Sequence, residues 1–177
     1  MIKLPGIKQR HLLRHSLWLW LLTTTIMGGC SSHTTHRAYH SFAHEEWKMQ
    51  DTISLNVTPT DSLADYTLDI EIRNSNNYPY EDLPISIICT EGDSLLLLND
   101  TLLLNLADEY GRWKGKGIGG LYQTEYHAGK LHIRHAGRHC IRISHLLPDT
   151  LLKGISDIGI RIGKISAYHD QHPRAGR

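Results

Sequence analysis

The sequence predicts an all-β protein built as a single antiparallel β-sandwich, and three observations support this fold class. Between about Thr52 and Ile165, apolar and polar residues alternate in short runs, the pattern of strands with one buried and one wet face. Turn signals such as NSNN at 74–77 and HAG at 127–129 separate these runs. The chain shows no long apolar pattern of helical period. About seven or eight short strands are typical of a jelly-roll or an immunoglobulin-like sandwich, and the sequence leaves both open.

The first 29 residues are organised as an export signal. Their basic residues are Lys3, Lys8, Arg10 and Arg14, and they include no acidic residue. The apolar run LWLWLLTTTIM at 17–27 is shorter than the roughly 20 residues of a membrane-spanning helix, and it fits the core of a secretory signal. Cys30 follows two glycines directly, as in the bacterial lipobox, although Met27 stands where Leu is usual. We therefore predict that Cys30 is lipidated and anchors the protein to a membrane. The alternative is an ordinary signal-peptidase site beside a free thiol.

The charge balance argues against nucleic-acid binding. The chain has 19 Lys+Arg and 18 Asp+Glu residues. Without the four basic residues of the signal, 15 basic and 18 acidic residues remain, so the exported part is mildly acidic. Nucleic-acid binding usually requires a basic patch, and we predict no nucleic-acid partner.

Two polar segments are predicted to flank a sandwich that occupies residues 47–166. Residues 30–46 are polar and have no apolar period, which is typical of a tether, and 167–177 are typical of a disordered tail. The tether contains four histidines with spacings of three, four and four: His33, His36, His40 and His44. On a helix they would share one face and could hold a metal. The Ser and Thr content favours a solvated tether instead, and we predict no metal site.

The strands are predicted in chain order from the alternation of apolar residues. The clearest runs lie around 53–57, 66–72, 85–89, 131–133, 141–143 and 158–162. Asp69 and Glu71 are expected together on the wet face of the second run. The leucine-rich runs 95–98 and 102–106 do not alternate cleanly, and the polar triplet between them allows a hairpin that is buried on both faces.

Two cysteines remain after Cys30, and strand parity argues against a disulfide between them. Cys89 shares a face with Ile85 and Ile87, which should be the core, whereas Cys140 alternates with arginines, which should face solvent. Cβ atoms on opposite kinds of face rarely come within bonding reach. A β-bulge would reverse one parity, so the sequence leaves the pairing open.

The stretch RWKGKGIGG at 112–120 resembles a phosphate-binding loop at first sight. A Walker loop requires Ser or Thr after the GK pair, but here Lys116 is followed by Gly117. The next residues, LYQTEYH, are strand-like, whereas nucleotide loops lead into a helix. We therefore predict a glycine-rich connection between strands. We identify no catalytic constellation and predict no nucleotide, no cofactor and no enzymatic activity.

Four short motifs occur in order along the predicted domain: WKMQDT, RNSNNYPYEDL, DTLLLNLADEYGRWKGKG and LLKGISDIGIRI. Together they resemble the gliding-motility lipoprotein H family of Bacteroidetes bacteria, over roughly residues 42–165. The resemblance implies a membrane lipoprotein of the gliding machinery, which is linked to an outer-membrane secretion system. It implies no catalytic residues. The stretch after Gly137, with His139, Cys140 and Arg142, departs from the family pattern.

The predicted role is therefore contact with other proteins of the gliding or secretion apparatus. Loops on rigid sandwiches often carry binding, so the candidate contact residues come from the second and third motifs: Arg73, Asn74, Tyr78, Tyr80, Trp113 and Lys116. The alternative is an envelope glycan-binding module, which would display Trp113, Tyr122 and Tyr126 on one exposed surface. Ser31 and Ser32, with no run of acids after Cys30, favour the periplasmic face of a membrane that the sequence does not identify.

Overall fold

The computed structural model describes residues 35–92 and 95–165, and within these ranges the chain is almost entirely strand. The only helical segment in that part of the chain is a 3-10 turn at Ala43–Glu45. The strands are β1 (Thr35–Ser41), β2 (Glu46–Lys48), β3 (Ile53–Val57), β4 (Ala64–Ser75), β5 (Asp82–Glu91), β6 (Leu95–Asn105), β7 (Lys116–Ile118), β8 (Leu121–Ile133), β9 (His139–His145), β10 (Leu151–Lys153) and β11 (Ile155–Lys164). The predicted signal, Cys30 and the predicted tail lie outside the described residues.

Two antiparallel sheets form the sandwich. The five-stranded sheet has the order β1-β11-β4-β8-β7, and the four-stranded sheet has the order β3-β9-β5-β6. A small third pair, β2 with β10, lies beside them. Neighbouring strands are antiparallel in each sheet. The predicted all-β antiparallel sandwich is confirmed.

The core lies between the two sheets and is built by alternate residues of each strand. Ile70 and Ile72 of β4 are fully buried beside Ile160 and Ile158 of β11, their partners in register. The four-stranded sheet contributes a matching layer of fully buried residues: Leu83, Ile85, Ile87, Cys89, Ile141 and Ile143. Burying one such aliphatic side chain stabilises the fold by about 1.5–3 kcal/mol, so the period-two pattern supplies most of the driving force.

The two cysteines of the domain lie on opposite faces of the β5–β9 ladder. Cys89 is fully buried and pairs in register with Ile141, whereas Cys140 pairs with Thr90 and is half-buried. Both thiols are free. Burial, with a smaller contribution from Cys140, raises the pKa of the Cys89 thiol to about 12. Cys89 is therefore an unreactive core residue at neutral pH.

The prediction of a tether over residues 30–46 is wrong from Thr35 onwards. Thr35–Ser41 form an edge strand of the five-stranded sheet, paired with β11 along its whole length. The next segment is also part of the fold, since Trp47 of β2 is fully buried and stacks on Phe42 at 4.8 Å between ring centroids. An edge strand is held largely by backbone hydrogen bonds to its neighbour, which hydropathy does not record. Because Thr35–Ser41 form a strand, the histidine face that a helix would have produced does not form from His36 onwards. No group of three metal-binding side chains occurs among the described residues.

Two other local predictions are also wrong. The leucine-rich segment Leu95–Asn105 is one continuous strand at the edge of the four-stranded sheet, where Leu96 and Leu103 are exposed. Its polar triplet causes no turn because an edge strand has room for polar groups. HAG at 127–129 lies inside β8, at an irregularity in the β4–β8 register. A β-bulge uses the same residue types as a turn.

The Thr35 end of the sandwich is the end at which β1 begins and β11 finishes, since Thr35 pairs with Gly163. The connections 58–63 and 134–138 lie there, joined by hydrogen bonds from Leu63 N–H to Arg134 O and from Gly137 N–H to Pro59 O. The end of β5 lies there too, because the N–H of Gly92, the residue after this strand, donates to the carbonyl of Arg138 at 3.1 Å.

The opposite end, the Ser75 end, is where β4 finishes and the motif loops cluster. Ser75 pairs with Leu121, and Lys116 pairs with Gln123, so the β7–β8 hairpin belongs to this end. The loops 76–81, 106–115 and 146–150 connect strands there. The candidate contact residues therefore converge on one end of the molecule.

Candidate functional site

The glycine-rich stretch at 112–120 connects strands, as predicted, and its residues from Lys116 onwards belong to a β-hairpin. β7 and β8 are joined by Gly119 and Gly120, whose φ angles are +63° and +84°. A two-residue turn with two positive φ angles matches the twist of a hairpin and favours glycine at both positions. Strand β8 follows the turn directly, whereas a nucleotide-binding loop leads into a helix.

A cationic pocket of about 270 Å³ lies beside this hairpin on the five-stranded sheet. We call it the Arg73–Lys116 pocket, and its lining residues are Arg73, Lys116, Ile118, Leu121 and Gln123. Register explains the convergence, because β4 pairs Arg73 with Gln123 and β7 pairs Lys116 with the same Gln123. The pocket thus combines two cations and one amide with two aliphatic side chains.

Arg73 is held in place by two neighbours. Its Nη1 lies 3.2 Å from Asp157 Oδ2 on β11, and its Nη2 donates to Gln123 Oε1 at 3.2 Å. Burial would raise the pKa of Asp157, but hydrogen bonds from Ser41 and Ser156 and the charge of Arg73 outweigh it and hold that pKa below its ordinary value. Asp157 is therefore ionised at neutral pH and orients the guanidinium.

Lys116 and Ile118 form the exposed rim of the pocket. Both side chains are exposed, Ile118 to 90%, and no ion pair of Lys116 occurs among the described residues. A free ammonium group beside an exposed aliphatic side chain suits an acidic partner group with an apolar neighbour.

The remaining candidates from the second motif divide into buried and exposed residues. Asn74 is fully buried, and Tyr78 is 3% exposed with its hydroxyl donating to Asp82 O at 2.7 Å. Their side chains therefore shape the loop rather than face a partner. Tyr80 is 37% exposed, and its hydroxyl donates to Asp149 Oδ2 at 2.7 Å.

Trp113 lies half-buried among other aromatic rings. Its indole N–H donates to Asn76 Oδ1 at 2.9 Å, and its ring centroid lies 5.9 Å from that of Tyr122 and 6.3 Å from that of Tyr78. Tyr126 is also half-buried and donates its hydroxyl to the carbonyl of Asn105. Trp113, Tyr122 and Tyr126 therefore do not form the open platform that the glycan-binding alternative requires.

Sequence reasoning missed Gln123, Ile118 and Leu121. A Gly-Gly hairpin turn predicts which residues face each other across it, so Lys116 opposite Gln123 was available as a signal. The proximity of Arg73 to Lys116 could not be predicted in this way, because Arg73 lies on β4, more than 40 residues earlier in the chain.

A layer of charged side chains covers the same sheet face beside the pocket. Asp69 and Glu71 share the outer face as predicted, but their side chains are only 10% and 3% exposed. Arg161 covers them, with Nη2 at 3.0 Å from Asp69 Oδ2 and Nε at 3.8 Å from Glu71 Oε1. Gln123 connects this layer to the pocket through Nε2, which lies 3.4 Å from Glu71 Oε2.

Comparison with known proteins gives one consistent match. The family described as GldH lipoprotein matches residues 34–162. Gliding motility lipoprotein GldH of Flavobacterium johnsoniae is 26% identical over 152 residues, covering 80% of this chain and 92% of that protein. A gliding motility lipoprotein GldH homolog of Christiangramia forsetii is 24% identical over 159 residues, covering 84% of this chain and 95% of that protein.

Similarity to solved structures is weaker. A carbohydrate-binding module specific for non-crystalline cellulose is 12% identical, with a TM-score of 0.39, and covers 65% of this chain and 69% of that one. A score this low supports no conclusion about sugars. In the part of the chain that the structure describes, no helix is long and apolar enough to cross a membrane.

Proposed function

The chain belongs to the GldH lipoprotein family, as its four motifs indicated, and from this premise we propose that it is a non-enzymatic contact component of the gliding machinery, linked to its secretion apparatus. Family membership makes it a gliding-motility lipoprotein of the cell envelope. The contact role rests on one observation, the Arg73–Lys116 pocket. It presents charge and apolar surface together on a rigid sheet.

The pocket has the properties of a protein contact site. Arginine is enriched at binding hot spots, and Arg73 is already oriented by Asp157 and Gln123, which reduces the entropy lost on binding. Ile118 exposes an aliphatic side chain on a short hairpin that a partner can cover. Tyr80, the other exposed candidate, extends the contact surface on the same end of the sandwich.

The absence of enzymatic activity is part of the proposal, and the chemistry of the pocket supports it. Guanidinium, ammonium and amide groups are hydrogen-bonding and charged groups that bind and orient a partner. His127, His132 and His135 lie elsewhere, and each is hydrogen-bonded to one carboxylate, of Asp69, Asp65 and Glu91 respectively. The three pairs are separate from one another, and none of these histidines lines the pocket.

Capture of partners from native envelope membranes tests the contact role. We expect the wild-type lipoprotein, crosslinked and purified, to recover gliding or secretion components. The double variant Lys116→Glu/Ile118→Asp should reduce recovery about tenfold, equivalent to about 1.4 kcal/mol of binding energy. The matched control Lys48→Glu/Met49→Asp changes an exposed Lys and an exposed apolar residue outside the pocket and should recover the wild-type amount. Equal recovery by both variants, or no component with wild type, would contradict the proposal.

The membrane anchor is proposed to be lipid attached to Cys30. This cysteine directly follows the predicted signal segment. The two residues after it, Ser31 and Ser32, do not begin a run of acidic residues, which favours a domain on the periplasmic side. The lipid would hold the domain at a membrane surface without a span.

Removing the thiol should release the protein from the membrane. In Cys30→Ala we expect the protein to shift from the membrane fraction to a soluble or an uncleaved form, measured by fractionation and intact mass. A Cys140→Ser variant, which changes the half-buried thiol of the domain, should stay in the membrane fraction. Membrane retention of a cleaved Cys30→Ala protein as complete as that of the wild type, after a high-salt wash, would refute the anchor. Release of the folded domain by protease from intact cells would refute the periplasmic orientation.

A further inference from the structure

We propose that the Thr35 end of the sandwich rests on the lipid leaflet that holds the anchor, so that the Arg73–Lys116 pocket is displayed away from the membrane. This inference rests on the anchor part of the proposed function and does not depend on the partner contacts. It identifies a second interaction surface of the domain, whose partner is the lipid surface itself.

The length of chain before β1 carries the argument. Four residues, 31–34, lie between Cys30 and Thr35, the first residue of the edge strand. Five Cα–Cα steps span at most about 18 Å even when fully extended. The headgroup layer of one leaflet is itself about 5–8 Å thick. The Thr35 end is therefore confined to the immediate neighbourhood of the lipid headgroups.

Exposed leucines lie at this same end. Leu63 is 78% exposed in the connection between β3 and β4, and Leu95 and Leu96 at the start of β6 are 41% and 55% exposed. Leu63 has a φ of +51°, a conformation that is uncommon for a residue with a side chain, and its N–H donates to Arg134 O at 3.3 Å. The loop thus holds an apolar side chain outwards, where insertion at the lipid interface would remove it from water.

Basic side chains lie at the same end as these leucines. Lys130, Arg134 and Arg138 are exposed on β8 and the following connection, and no ion pair of theirs occurs among the described residues. Among the described acidic residues at this end, Asp61 forms an ion pair with Lys164 Nζ at 3.0 Å, and Asp65 is hydrogen-bonded to His132 Nδ1 at 2.7 Å. A third acid, Glu91, lies 2.5 Å from the ring of His135. Lys130, Arg134 and Arg138 are therefore exposed to anionic headgroups, which attract each of them by about 1 kcal/mol.

Apolar exposure alone does not select this end, because Tyr110 and Ile118 at the Ser75 end are 74% and 90% exposed. The short length of chain between Cys30 and Thr35 selects this end. β4 has 12 residues and joins the two ends, which places them about 36 Å apart along the strand. A domain that stands on its Thr35 end holds Ile118 and Lys116 at about that height above the headgroups.

Spin labels on the intact lipoprotein measure which end meets the lipid. In a Cys140→Ser background, single labels at Leu63→Cys, at Ala136→Cys and at Ile118→Cys would be compared in vesicles of phosphatidylcholine with phosphatidylglycerol. Cys89 stays unlabelled because it is fully buried. A nickel chelate attached to the headgroups should relax the labels at 63 and 136 several-fold more than the label at 118. Position 136 is an exposed second site if the change at 63 disturbs its loop. Equal relaxation at the two ends, or stronger relaxation at 118, would overturn the proposal.

Charge reversal separates this surface from the partner-contact surface. Lys130→Glu/Arg134→Glu should lower the relaxation of the label at 136, although the short linker to Cys30 should keep it above that of the label at 118, and should leave partner recovery unchanged. Lys114→Glu/Lys116→Glu, the matched change at the Ser75 end, should leave the relaxation unchanged and lower recovery. Loss of recovery in the first pair, or loss of relaxation in the second, would overturn the assignment of the lipid surface to the Thr35 end. Failure of partner capture with intact relaxation contradicts only the contact role.

Discussion

Replacing Gly154 by alanine should destabilise the domain by about 4 kcal/mol or more, the range reserved for severe structural conflicts. Gly154 links β10 to β11 with a φ of +84°. A Cβ there would overlap the backbone N and Cα of Tyr78 and lie 2.6 Å from the carbonyl carbon of Asn77. The backbone cannot retreat, because Gly154 N–H donates to Glu45 O at 2.9 Å and its carbonyl accepts from Ser75 N–H at 2.8 Å. Three chain segments meet at a point that has room only for a hydrogen atom.

Urea unfolding followed by tryptophan fluorescence would measure this loss. Gly111→Ala is the matched control, since Gly111 has a φ of +72° and a Cβ added there would meet no atom within 4 Å. The free energy of unfolding of Gly111→Ala should fall only by the cost of the left-handed backbone conformation, about 1–2 kcal/mol. Similar losses in the two variants would show that the contact with Tyr78 does not matter. The difference between the two losses of unfolding free energy separates the cost of the overlap with Tyr78 from the cost of the backbone conformation.

Replacing Arg161 by methionine should destabilise the domain by about 3 kcal/mol, because it leaves two buried carboxylates without their main cation. The guanidinium of Arg161 contacts Asp69, Glu71 and the carboxylate of Glu125. Asp69 and Glu71 are too buried for water to replace it. Methionine keeps the length and apolar stem of the side chain, so the loss reports the charge and its hydrogen bonds.

Arg37→Met is the matched control for Arg161→Met. Arg37 is 52% exposed and reaches Glu71 only at 4.0 Å, so its loss should cost less than about 1 kcal/mol. The same urea experiment, repeated at low and high salt, compares the two. The proposal of a buried charge layer would be refuted by equal small losses. It would also be refuted if Arg161→Met lost stability only at low salt, because that result would describe an exposed pair.

Both predictions concern residues of the fourth motif, LLKGISDIGIRI, whose order helped to identify the family. Gly154 permits a three-way backbone junction, and Asp157 orients Arg73 in the pocket. Arg161 neutralises the charge layer beneath. The motif was recognisable in the sequence as a pattern. The separate structural roles of its residues were not, because the residues that each of them contacts come from distant parts of the chain.

Only part of the candidate site was within reach of sequence reasoning. Arg73, Tyr80 and Lys116 lie exposed or half-exposed at one end of the sandwich, as loops that carry binding are expected to do. Asn74 and Tyr78 came from the same motif but are buried, because polar residues in a loop also satisfy the backbone of that loop. Hydrophilic composition alone does not separate these two tasks.

The sequence by itself determined the strands, the antiparallel sandwich and the core position of Cys89, because alternation with a period of two is a local property that burial rewards directly. Its glycines at 115–120 indicated a connection between strands, because tolerance of positive φ is also a local property. Only the tertiary structure decided that β1 joins the sheet, that Asp69 and Glu71 are covered, and that Arg73 meets Lys116. These features depend on the register between strands that are far apart in the chain. At a sheet edge or on an outer face, backbone hydrogen bonds form with apolar and polar side chains alike, so hydropathy does not predict the pairing.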